Sequence, residues 1–178
     1  MAIILTKEDG TGLTTSNVYA TITEAAQYLE NTGRKDAWAA FSSAVRSSAL
    51  IQGADYVDQK YRKSFKGVRF SSAQALEWPR SQVYNELGEL VPAAEIPVEI
   101  GEASIEFAFE AAGSPLAPTP VVSASGGFVT KQRDKVDVLE TETNYSDKYP
   151  PQVSRAYPRA KLVLGRWLRQ TAGLTARI

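Results

Sequence analysis

The sequence predicts a mainly α-helical protein: a small bundle of about four helices with an inserted β-hairpin and extended loops. Apolar residues recur at three- and four-residue steps in four segments, a spacing that places them on one face of a helix. A Pro-, Ser- and Gly-rich stretch and a short alternating segment separate the third helix from the fourth. We expect a helical core at residues 1–113, a loop and β-hairpin insertion at 114–152, and a basic C-terminal helix and tail at 153–178.

The composition excludes several classes of function. The chain has 178 residues, enough for one domain with a substantial core, and contains no cysteine and no histidine. This removes disulfides, thiol nucleophiles, the usual zinc ligands and the usual general base. The sequence has no Gly-x-Ser-x-Gly elbow, phosphate-binding loop or Asp-rich cation loop, and no lysine stands out as the base for a serine. We therefore expect a protein that is not an enzyme and has no cofactor or metal.

The apolar runs also bear on localisation. None approaches the roughly 20 residues that a membrane helix needs. The first residues lack the basic start and apolar length of a signal peptide. We expect a soluble protein without membrane contact or export.

The first helix follows an extended lead-in over residues 1–17, which contains a turn signal at Asp9–Gly12. Thr21, followed three residues later by Glu24, predicts a capping box at the start of the helix. Asn31–Gly33 predicts its end.

The longest helical pattern begins at Ser42 or Ser43 and continues to Gly67, a residue suited to the end of a helix. Its apolar face consists of Leu50, Ala54, Val57, Tyr61 and Phe65, and Asp55 and Asp58 fall elsewhere around the helix. The loop that follows ends at Trp78–Arg80. Because proline disfavours helix at the residue before it, we expect Trp78 to be extended and to plug the core.

The third helix is predicted from Pro97 to about Ala112. It carries two apolar strips separated by a stripe of glutamates, whereas an ordinary surface helix has one apolar stripe. Two strips indicate either a central helix covered on both sides or a helix that packs in its own subunit and against another. The first strip is Val98, Gly101, Ile105, Ala108, Phe109 and Ala112; the second is Ile100, Ala103, Phe107 and Ala111; the stripe is Glu99, Glu102, Glu106 and Glu110.

The last third of the chain predicts a β-ribbon and a helix. Residues 128–131 and 136–143 suggest the two strands, with the turn near Gln132–Lys135. The final helix is expected from about Ser154 to Thr171, with Leu164, Trp167 and Leu168 on its apolar side.

Charge is segregated along the chain. Residues 81–130 contain seven glutamates and no lysine or arginine, whereas the chain from Lys148 onward contains seven basic residues and no acidic one. The two segments can pair within one subunit or across neighbours in a ring, and the sequence favours neither.

The basic C-terminal helix leaves its partner open. Arginines around Trp167 suit single-stranded nucleic acid, which is held by base stacking and phosphate contacts. The same arginines suit an acidic protein partner, and an aromatic residue beside Leu164 and Leu168 suits a core or an interface.

Six segments carry a resemblance to a known family. They are Asp9–Gly12, Val18–Thr21 with Glu24–Ala26, Ala49–Asp58, Phe65–Arg69, Gln74–Arg80 and Ile96–Pro97. In this order they resemble small neck proteins of tailed bacteriophages, the head–tail adaptor (head-completion, or connector) proteins. Sequences with this pattern are also labelled DnaT-like single-stranded DNA-binding proteins. The resemblance is close over residues 9–113 and looser beyond them.

The resemblance implies a helical subunit that assembles as a ring, commonly of twelve copies, beneath the portal vertex in the virion neck, after synthesis in the bacterial host cytoplasm. Such a ring extends the DNA channel, with possible non-specific contact to DNA, and docks the tail or a stopper (head-closure) protein. The implied partners are the portal protein, that tail-side protein and further copies of the chain.

Three groups of residues follow as predicted sites. The structural motif is Tyr56, Trp78, Pro79 and Arg80. The predicted portal-binding residues are Arg155, Arg159, Arg166, Trp167 and Arg169. The predicted subunit-interface residues are Glu99, Glu102, Glu106, Phe107 and Glu110.

Overall fold

The computed structural model describes residues 3–117, 128–135, 140–146 and 156–169. The chain forms two compact units, one of residues 1–114 with 157–178 and the other of residues 115–156. The first is helical and the second contains an antiparallel hairpin, which confirms the predicted mainly α fold with a small hairpin. No helix in the described part of the chain is long and apolar enough to cross a membrane.

The described elements of the helical unit are five α-helices, a 3₁₀ turn and a two-residue antiparallel strand pair. The helices are α1 (Ile22–Asn31), α2 (Lys35–Ala39), α3 (Ser43–Tyr61), α4 (Val98–Gly113) and α5 (Pro158–Leu164), with the 3₁₀ turn at Gly165–Trp167. The strands are β1 (Val68–Arg69) and β2 (Arg80–Ser81). The hairpin unit contains β3 (Phe128–Lys135) and β4 (Glu140–Ser146).

The helix starts are local and match the sequence signals. The Thr21 hydroxyl accepts a hydrogen bond from the Glu24 backbone N–H at 3.2 Å, and the Thr21 N–H donates to the Glu24 carboxylate at 2.7 Å, which completes the capping box. Ser42 caps α3 by accepting from the Val45 N–H at 3.3 Å.

Helix α3 ends at Tyr61, six residues before the predicted end at Gly67. The last turn tightens, because the Ser64 N–H donates to the Tyr61 carbonyl at 2.8 Å, and the Lys66 N–H then donates to the Trp167 carbonyl at 3.0 Å. Phe65 is nevertheless fully buried. Gly67 has the expected positive φ of 67°, but it serves the loop, where a Cβ would lie 2.3 Å from the Ser81 carbonyl oxygen.

Helix α4 is the centre of the helical unit. It meets α3 at Gly53, where a Cβ would lie 2.3 Å from the Ser104 carbonyl oxygen, so the two backbones approach closely. Ile105 and Ala108 pack into a cluster with α1, α2 and the start of α3. Phe107 is fully buried on the other strip. Most of both predicted apolar strips is therefore covered within a single chain, whereas Val98, the first residue of the first strip, is 71% exposed.

The first strand of the hairpin is longer than predicted. Strands β3 and β4 pair from Phe128 opposite Ser146 to Lys135 opposite Glu140, with an irregularity between Val129 and Lys131. Gln132–Lys135, expected near the turn and outside the first strand, continue β3 to its end. Val136 and Val138 of the predicted second strand lie outside the described residues.

The last helix is shorter than predicted. Pro158 lies in its first turn and α5 ends at Leu164, followed by the 3₁₀ turn. The chain then extends, and the Arg169 N–H donates to the Ser64 carbonyl at 2.7 Å. The predicted ends, Ser154 and Thr171, lie outside the described residues.

Candidate functional site

The Trp78–Arg80 loop is anchored deep in the helical unit. Trp78 is fully buried and makes edge contacts with Phe65 and Trp167, at ring-centroid distances of 5.8 and 6.0 Å; its bond to Pro79 is cis. Arg80, also buried, donates to the Glu77 carboxylate at 2.9 Å and to the Lys66 carbonyl at 2.8 Å. These contacts hold the loop against the exit of α3, which agrees with a structural role for the motif.

Asp58 is a buried carboxylate whose burial the sequence did not predict. It accepts a hydrogen bond from the Tyr19 hydroxyl at 2.5 Å and from the Glu77 N–H at 2.9 Å. The Trp78 N–H donates in turn to the Tyr19 oxygen at 3.1 Å. Burial raises the pKa of Asp58 to about 7, with added repulsion from Glu77 and Asp55, although both hydrogen bonds act in the opposite direction. Its position four residues after Ala54 and beside Val57 was the available signal.

Glu106 is a second buried carboxylate with a different environment. Arg34 donates to it through two nitrogens at 2.5 and 2.9 Å, the Tyr28 hydroxyl donates at 2.8 Å, and Arg159 lies 3.4 Å away. Burial alone would raise the pKa of Glu106, but the hydrogen bonds from Arg34 and Tyr28 lower it below its ordinary value. Burial and Glu106 together raise the pKa of Tyr28 to about 12.

The C-terminal segment folds back onto α4 and the Trp78 loop. Arg166 forms an ion pair with Glu99 at 2.7 Å, and the Trp167 indole N–H donates to the same carboxylate at 3.2 Å. Trp167 is 7% exposed, so its ring packs inside the unit against Trp78. The segregated charges of the sequence are therefore paired within one chain at these positions.

The predicted portal-binding residues separate into two kinds. Arg159, Arg166 and Arg169 are exposed on one side of the segment, although the first two pair with α4. Trp167 is buried, so its role in the described unit is packing. Arg155 lies outside the described residues.

The predicted subunit-interface residues are also divided. Phe107 is fully buried against Tyr56 and Tyr157, and Glu106 is buried in its own ion-pair cluster. Glu99 is committed to Arg166 and Trp167. Glu102 is half-buried and Glu110 exposed, so these two are the members left at the surface.

A half-buried aromatic surface lies where α3 meets α5. Tyr56 and Tyr157 meet edge to face at 5.7 Å, and the exposed Lys60 ammonium lies 4.9 Å from the Tyr56 ring and 5.4 Å from the Tyr157 ring. Rings beside a cation are the chemical elements of a stacking surface for nucleic acid bases.

A groove of about 650 Å³ opens between the lead-in, α1 and α4. Its lining combines apolar and acidic side chains. The apolar ones include Ala20, Ile96, Pro97, Val98 and Ile105, and the acidic ones are Glu8, Asp9, Glu24, Glu95 and Glu102. Over residues 3–117 and the other described stretches, no group of three or more acidic side chains is placed to hold a metal ion.

The comparison with protein families covers the whole chain. Residues 1–178 match the family described as "Putative DnaT-like ssDNA binding protein". The chain belongs to this family. Neither the curated proteins nor the solved structures gave a match.

Proposed function

We propose that the protein is a structural head–tail adaptor of a tailed-phage virion, which forms a ring under the portal, extends the DNA channel and docks the tail or a stopper. The observation that carries the proposal is the two-unit architecture of the chain. Residues 115–156 form a separate unit inserted between α4 and α5, and its described secondary structure is a two-stranded hairpin. A lone hairpin is marginal in water, so it suits a chain that completes its packing against other subunits.

The chemistry of the described helical unit supports the same proposal. Two of its buried carboxylates, Asp58 and Glu106, hold the loop and the helices together. The segments that carry the family resemblance contribute to the core, since Trp78 and Val57 are fully buried. The residues left for function therefore lie on the surface, as they do in a protein that acts by docking to others.

Electron microscopy of the purified protein mixed with the portal of the same phage tests the proposal. The expected result is a ring of copies seated under the portal. A protein that stays monomeric and separates from the portal would contradict it.

Charge changes at Arg166 locate the portal contact. Arg166→Glu breaks the pair with Glu99, so it affects the fold as well as the surface. The double exchange Glu99→Arg with Arg166→Glu restores an internal pair and serves as the matched variant. Docking that stays weak in the exchange places the contact at Arg166, whereas restored docking assigns Arg166 to the fold.

Single-stranded DNA binding is the second candidate, favoured by the family description and by the Tyr56–Tyr157 surface with Lys60. Fluorescence anisotropy with a labelled oligonucleotide should then show an affinity that falls steeply with salt and weakens in Lys60→Glu. Lys35→Glu, at an exposed lysine on α2, is the control. The absence of binding at low salt would exclude this candidate.

A further inference from the structure

The groove between α1 and α4 is lined by residues of the family resemblance that lie outside the Trp78–Arg80 loop. Asp9, Tyr19, Glu24 and the Ile96–Pro97 pair belong to resemblance segments, and all of them line it. Val98, one of its lining residues, is 71% exposed, a large fraction for an apolar residue at the start of a central helix. An exposed apolar side chain in a groove fits an apolar side chain from outside the unit.

The acidic lining of the groove favours a cation. Five carboxylates line it, those of Glu8, Asp9, Glu24, Glu95 and Glu102, and the single lining lysine, Lys7, is paired with Glu24 at 2.5 Å. Burial, with repulsion from Glu99 and Glu106, raises the pKa of Glu102. A basic group brought beside Glu102 would relieve that repulsion, so the fitting occupant is a basic side chain next to an apolar one.

The exposed face of α5 has this chemistry. Leu162 is 81% exposed and adjoins Lys161, which is exposed and makes no ion pair with any described residue. Arg159, on the same helix, is held at Glu106. Lys161 and Leu162 thus present one free cation and one apolar side chain side by side.

The groove and helix α5 lie on different sides of α4. Helix α5 and the 3₁₀ turn pack on the side of Glu99, Glu106 and Phe107. The groove opens on the side of Val98, Gly101 and Ile105. Two different complementary surfaces make a heterologous contact, which generates a ring when the rotation between neighbours closes.

We propose that the α1–α4 groove accepts the Lys161–Leu162 face of α5 from a second copy of this chain, so that copies join head to tail. The inference deepens the proposed adaptor function and rests on it. In this contact Leu162 packs beside Val98, and Lys161 lies near Glu95 and Glu102.

Site-directed cross-linking tests this contact, because the chain contains no cysteine of its own. Val98→Cys protein is mixed with Leu162→Cys protein, assembled with the portal and treated with a short bismaleimide. A covalent dimer is expected from the mixture and not from either variant alone. The control pair is Val98→Cys with Leu87→Cys, because Leu87 is an apolar residue with a similar exposure of 83%.

The mass of each sample before cross-linking separates the two ideas. If the copies assemble but Val98–Leu162 cross-linking equals that of the Leu87 control, the head-to-tail contact is wrong and the ring stands. If the copies do not assemble even on the portal, the adaptor function fails and the contact fails with it. A charge exchange is the second measurement: Lys161→Glu and Glu102→Lys should each weaken assembly by about tenfold and should together restore it.

Discussion

The two sides of α4 differ in how their charges are satisfied. On one side, Glu106 is paired with Arg34, and Glu99 with Arg166 under the buried Trp167 ring. On the other, Glu102 and the exposed Val98 both line an open groove. The first side stabilises the fold, and the second leaves a groove exposed at the surface. The difference teaches that exposed acidic residues of one helix should not be assigned to a single interface.

The largest expected effect concerns Trp167, on the closed side. Trp167→Ala removes a large ring packed on Trp78 and a hydrogen bond to Glu99, so it should cost about 3 to 5 kcal/mol in the free energy of unfolding. Leu162→Ala, on the same segment but exposed, should cost less than about 0.5 kcal/mol. Chemical denaturation measures both. Equal effects would contradict the assignment of Trp167 to the core.

A buried carboxylate that forms no ion pair with any described residue sharpens the comparison. Asp58 has a pKa raised from its ordinary value of 3.8 to about 7, so the folded state binds its proton more tightly than the unfolded state. The stability that protonation contributes is full below pH 3.8 and is lost as pH rises to about 7, with an upper limit of about 4 kcal/mol. Unfolding measured against pH should show this loss and should show less of it in Asp58→Asn.

The matching test on the closed side removes the cation of Glu106. Arg34→Met should destabilise the protein by about 2 to 3 kcal/mol, less than the roughly 3 to 5 kcal/mol of a fully buried pair, because Tyr28 and Arg159 stay as partners. Arg166→Met, at a pair whose arginine is 51% exposed, should cost less than about 1 kcal/mol. An equal loss in both variants would show that burial of the pair does not set its contribution.

The smallest effect on stability is expected on the open side. Val98→Ser and Glu102→Gln should each change the free energy of unfolding by less than about 0.5 kcal/mol, since Val98 is largely exposed and Glu102 has no ion pair with a described residue. Both should weaken assembly of the copies. A large loss of stability in either variant would remove the contrast between the two sides.

The sequence predicted those features that depend on neighbouring residues. The capping box at Thr21, the cap at Ser42 and the plug at Trp78 all follow from local chemistry. The burial of Asp58 depends on Tyr19 and Glu77, which are distant in the chain, and the Lys66 N–H depends in the same way on Trp167. The polar composition of Gln132–Lys135 is typical of a turn, but these residues pair with β4. Their pairing depends on the partner strand and not on their own composition.

The candidate site was predicted in part for the same reason. The sequence pointed to α4 and the basic segment as surfaces, and both do carry exposed charge, at Glu110 and Arg169 for example. It did not distinguish the covered Phe107 from the exposed Val98, because helical spacing groups residues by face without showing what covers each face.

The mass of the protein bound to its portal tests the central claim most directly. A ring-forming adaptor should add to the portal as a whole-number multiple of the 19.4 kDa chain, in one cooperative step, with no stable partial rings. Native mass spectrometry or mass photometry of the mixture measures this. A portal mass that is unchanged while the protein stays at 19.4 kDa would contradict the account.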